Sequence, residues 1–78
     1  MDPQTADRLA MASIWWARRP GPTAEVAIRT LIGGLSDADK WEVCDRFGAA
    51  DALPDEELQG RLVALGGKAV RVERKELR

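Results

Sequence analysis

The side chains of this chain that can carry chemistry are thirteen acids, twelve bases and one thiol, Cys44, with no histidine and no tyrosine. Without histidine, the commonest general base and the commonest metal ligand are missing, as is every Ser–His or Cys–His nucleophile arrangement. Cys44 has Glu42 and Asp45 as neighbours, acids of the wrong sign to activate a thiolate. It is read as a small core residue. Asp37-Ala38-Asp39 starts like a calcium loop, but Trp41 and Glu42 fall where the third ligand and the glycine belong. No glycine-rich loop ends in Lys-Ser or Lys-Thr to cradle phosphate. An enzyme is not expected, and neither is a cofactor or a metal site.

What remains is charge and tryptophan. Net charge is −1, but residues 36–59 hold eight acids against two bases, net −6, and residues 60–78 hold six bases against two acids, net +4. Such a split serves intramolecular pairing or marks two differently charged contact surfaces. Trp15 and Trp16 are adjacent, and neighbours on an α-helix point about 100° apart. Leu9, Ala10, Ser13, Ile14, Trp16 and Ala17 share one face. Trp15 falls about 180° from Ala6, opposite that face, in a stripe with Arg8, Met11, Arg18 and Arg19. Met, Trp and Arg are enriched at interfaces, so this stripe is the expected contact surface.

The elements that position these residues are punctuated by Pro20-Gly21-Pro22, Gly33-Gly34, Gly48 and Gly66-Gly67. Four helices are predicted. The first runs from about Pro3 to Arg18. The second starts at Pro22 and gathers Ala24, Ala27, Ile28, Leu31, Ile32 and Leu35 on one face, which makes it the most buried element expected. Gly33-Gly34 are assigned its left-handed C-terminal turn. Ser36 caps the third helix, whose early acids suit the positive end of the helix dipole. Its expected apolar side is Trp41, Val43, Cys44 and Phe47, with Asp39, Glu42, Asp45 and Arg46 outward. The fourth opens at Leu53-Pro54-Asp55-Glu56-Glu57 with a Leu58, Leu62, Leu65 stripe, weakened at Gly60. Ala69–Glu73 alternates like a strand and Glu73–Arg78 is composed like a helix, so the basic tail at about residues 68–78 stays open between the two.

The expected fold is thus all-α or nearly so: a small three- to four-helix bundle forming one domain over residues 1–78. A core of this size leaves only ~3–5 kcal/mol of stability without a staple. One cysteine forms no intrachain disulfide, so a partner or a homodimer is the expected source of more. The lone cysteine favours the cytoplasm. Asp2 and Asp7, with no long apolar run, argue against a signal peptide or a membrane span.

The function expected is a non-enzymatic protein-binding module. Its contacts would come from Arg8, Met11, Trp15, Arg18 and Arg19 and from the acids Asp37, Asp39, Glu42 and Asp45, and its protein partner would carry a basic surface. In its small size, lack of motifs and bipolar charge the chain resembles, in general character, inhibitors encoded by phages and mobile elements, including anti-CRISPR proteins. That likeness implies an inhibitor of a host nucleic-acid-processing complex, with the acids imitating phosphates. The alternative is a small DNA-binding regulator using its arginines. Placing a helix–turn–helix on Gly34 or Gly48 puts acidic segments in the groove, where they would repel phosphates, so sequence-specific nucleic-acid binding is not expected.

Overall fold

The structure, a computed structural model, describes residues 1–66. It is an all-α bundle: α1 (Pro3–Ala17), α2 (Pro22–Ile32), α3 (Asp37–Cys44), a five-residue α4 (Phe47–Asp51) and α5 (Asp55–Ala64). The alternation at residues 69–73 lies outside the described residues.

The first three helix starts have a local cause. The Asp2 carboxylate accepts from the Thr5 backbone N–H at 3.1 Å ahead of Pro3, and the Ser36 hydroxyl accepts from Asp39 N–H at 3.2 Å. Pro22 opens α2, where its missing N–H costs nothing. One of the two expected glycine stops differs from the rule. Gly33 is right-handed, with φ −63°, so Gly33-Gly34 do not form a left-handed turn. Its glycine is needed for room instead: a Cβ there would lie 2.5 Å from the Arg29 carbonyl oxygen, which accepts from Gly33 N–H at 2.7 Å. The left-handed stop is at Gly66, with φ +123°, after α5.

Helix α1 is the hub, and all four other helices pack on it. Around its C-terminal half, Ala12, Trp15 and Trp16 meet Ala24 of α2 and Leu58 and Leu62 of α5. Around its N-terminal half, Ala6, Leu9 and Ala10 meet Val43 of α3, with Phe47 and Leu35 at the edge. Ser13 is buried in this helix and satisfies its hydroxyl by donating to the Leu9 carbonyl at 2.8 Å. The most buried element is therefore α1, with seven buried residues, and not α2, where Ala24 alone is fully buried. Helix α2 lies on one side of the hub and keeps its own far side in water, so its apolar face is half-buried at Ala27, Ile28, Leu31 and Ile32.

The hub also corrects the placement of Trp15. A single apolar stripe leaves a solvent side, but α1 is covered over an arc wider than the 100° between adjacent residues. Both indoles are buried, Trp15 at 5% exposure and Trp16 at 3%.

The third predicted helix divides in two. Helix α3 ends at Cys44, and α4 begins at Phe47, with Gly48 inside it rather than stopping it. Trp41 and Val43 are two residues apart and so about 200° apart around α3, which prevents both from facing one neighbour. Val43 faces α1 and is buried, while Trp41 and Cys44 face water. Neither is the core residue expected.

Candidate functional site

Two tryptophans with nearby charges define the regions of interest. At the end of α1, the Arg19 guanidinium carbon stacks 3.4 Å from the Trp15 ring centroid. The same guanidinium donates to the Trp15 carbonyl at 2.9 Å and to Asp55 Oδ2 at 2.6 Å. Arg18 reaches the other carboxylate oxygen, Asp55 Oδ1, at 2.9 Å, and donates to the Asp51 and Leu53 carbonyls at 3.0 and 2.7 Å. It thereby satisfies backbone oxygens left over at the end of α4. The hydrogen bond from Arg18, then that from Arg19, holds the Asp55 carboxyl below the usual aspartate range. Asp55 is the first residue of α5, so this cluster fastens α5 to the end of α1. The Trp15 indole Nε1 is buried with no acceptor among the described residues.

The second region is α3. Trp41 is 71% exposed, the highest value among the exposed large hydrophobic residues Met1, Val26, Trp41 and Val63. Asp37 precedes it by four residues and Asp45 follows by four, so the three lie along one side of the helix at intervals of about 6 Å. Both aspartates are exposed, and their carboxylates take no hydrogen bond or ion pair among the described residues. Cys44 shares this side and is exposed.

The expected contact residues therefore separate. Trp15 and Met11 pack into the core, Arg18 and Arg19 converge on Asp55, and Arg8 alone of that stripe is exposed, beside Gly66. The stripe is not a surface. Among the acids of α3, Asp39 and Glu42 turn to the inner side with Val43 and are half-buried rather than outward. They lie 3.6 and 3.9 Å from the Met1 amino group. Arg46 reaches back to Asp7 at 2.9 Å. Asp37 and Asp45 remain outward and flank Trp41, the residue the sequence reading put in the core. Part of the signal was present: both residues four positions from Trp41 are aspartates, which disfavour burying that side of the helix.

Among the described residues, no helix is long and apolar enough to cross a membrane. Compared with known proteins, the chain matches no family model, no curated protein and no solved structure.

Proposed function

We propose that this protein is a non-enzymatic protein-binding module that docks through the outer side of α3 onto a partner with a basic surface. The observation that carries this reading is Trp41, a large indole held 71% in water between two aspartates on a formed helix. Indole supplies much of the energy at protein–protein hot spots, and an uncompensated exposed ring lowers solubility. In its most concrete form the protein is a cytoplasmic inhibitor of the phage or mobile-element type, including the anti-CRISPR type. It would occupy the basic groove of a nucleic-acid-processing complex, with Asp37 and Asp45 in place of phosphates. Glu56, exposed in the first turn of α5, adds to the same electrostatic character.

Of the arginines a DNA-binding regulator would use, Arg18 and Arg19 are engaged by Asp55, which weakens that alternative. With Trp15 buried, Trp41 is the exposed indole among the described residues through which a homodimer would meet.

The test is affinity capture from a candidate host lysate with wild type, Trp41→Ala, Asp37→Lys with Asp45→Lys, and Val63→Ala as an exposed control. Mass spectrometry would identify what is retained. A nucleic-acid-processing partner kept by wild type and Val63→Ala, and lost by the other two variants, is the expected result. An unchanged capture profile, or a sequence-specific gel shift at nanomolar protein, overturns the reading.

A further inference from the structure

The region around Trp15 shows what this chain does with a tryptophan beside a carboxylate: it places an arginine between them. The Arg19 guanidinium stacks on the Trp15 ring at 3.4 Å and, with the same group, donates to Asp55 at 2.6 Å. A planar guanidinium can do both at once, because its flat face meets the ring while its edge N–H groups meet the carboxylate. On α3 the aromatic and the flanking carboxylates are present, and among the described residues no cation pairs with them. The residue four positions after Trp15 is Arg19, whereas the residue four positions after Trp41 is Asp45, and the one four before it is Asp37. The nearest base in sequence, Lys40, points about 100° away around the helix.

We infer that the outer side of α3 is a docking site for an arginine-bearing basic segment of a partner protein, with one guanidinium stacked on Trp41 and paired to Asp37 or Asp45. This rests on the binding-module reading and names the chemistry of its occupant. The spacing fits an extended segment. Alternate side chains on a strand are about 6.6–6.8 Å apart, close to the ~6 Å between residues four apart on a helix. A segment with arginines at alternate positions therefore puts one over the indole and the next beside an aspartate. Lysine would satisfy the charge but not the stacking, since its ammonium is compact and strongly hydrated. The charge of the whole segment agrees, since residues 36–59 carry net −6.

The test uses the full chain, isotopically labelled, titrated with end-blocked hexa-arginine and hexa-lysine and followed by NMR. The Trp41 indole N–H signal is assigned by its loss in Trp41→Phe. Hexa-arginine is expected to shift the Trp41 indole and the backbone amides of Asp37 to Asp45 while leaving the Trp15 and Trp16 indoles in place. Hexa-lysine should bind the same face about three- to fivefold more weakly, the factor that stacking at an exposed site contributes. Asp37→Asn with Asp45→Asn should weaken hexa-arginine by about threefold or more.

Equal binding of the two peptides, or shifts elsewhere than α3, overturns the proposal. So does a Trp41 signal that moves, without added peptide, when Arg71, Arg74 and Lys75 are changed to glutamate. That result would assign the face to the chain's own C-terminal segment. If hexa-arginine leaves Trp41 unmoved while capture of a protein partner still depends on Trp41, the arginine reading fails and the binding-module reading stands. If hexa-arginine binds at Trp41 but capture is indifferent to Trp41→Ala, the face holds arginine but the binding-module reading fails, and with it the partner-docking proposal.

Discussion

Trp15 and Trp41 are each followed four residues later by a charge, Arg19 in one case and Asp45 in the other, and the two rings have opposite fates. Around Trp15, Leu58 and Leu62 of α5 join the same buried cluster, and Arg19, held by Asp55, stacks over the ring face. Among the described residues no element covers Trp41, and it is Val43, on the opposite side of α3, that packs against α1. An aromatic with its cation in place has become structure, and an aromatic flanked by anions alone has stayed at the surface. The difference lies in how many helices reach each ring, because α1 is the hub and α3 lies at the margin.

The strongest way to break this contrast is to truncate the rings. Trp15→Ala and Trp16→Ala should each cost about 3–5 kcal/mol, comparable with the whole stability of a core this small. Urea or thermal unfolding followed by circular dichroism should find both variants largely unfolded at room temperature. A Trp15→Ala protein as stable as wild type would put that ring back at the surface.

Trp41→Ala should do the opposite. Its melting temperature should stay within a few degrees of wild type, because an exposed side chain contributes little to folding. Partner binding, read by calorimetry once the partner is in hand, should weaken by ~2 kcal/mol or more. A large drop in melting temperature would mean that the ring is packed.

The cluster that closes the Trp15 site is a smaller lever. Arg18→Ala removes donors to the Asp51 and Leu53 carbonyls as well as to Asp55, and should cost about 1 kcal/mol in chemical denaturation. No loss at all would show that water replaces the guanidinium without penalty.

The smallest expected effect is a pH dependence. The Asp55 carboxyl is held below its ordinary value by Arg18 and then Arg19, so the folded state binds its proton less readily than the unfolded chain. The stabilisation is therefore complete above the unfolded aspartate value, about 3.9, and is lost as pH falls through the lowered folded one. Melting temperatures of wild type and Asp55→Asn should differ at neutral pH and converge in acid. Parallel curves would show that Asp55 is not the linked group.

The sequence by itself determined the all-α class and most of the helix starts, though not the break between α3 and α4 or the turn at Gly33-Gly34. Pro3, Pro22, Ser36 and the Pro54–Glu57 stretch mark helix starts through backbone rules that act within one turn, and the all-α character follows from 3.6-residue spacing such as Leu58, Leu62 and Leu65. The exclusion of histidine chemistry is equally a property of composition. Only the tertiary structure decided which helix became the hub. Periodicity shows that a helix has an apolar side but not how many neighbours it will meet, so Trp15 looked like the outer ring and Trp41 like the inner one. Burial is a property of the packed set of helices, and the same arrangement that closed over Trp15 and brought Arg18 and Arg19 to Asp55 left Trp41, Asp37 and Asp45 facing water.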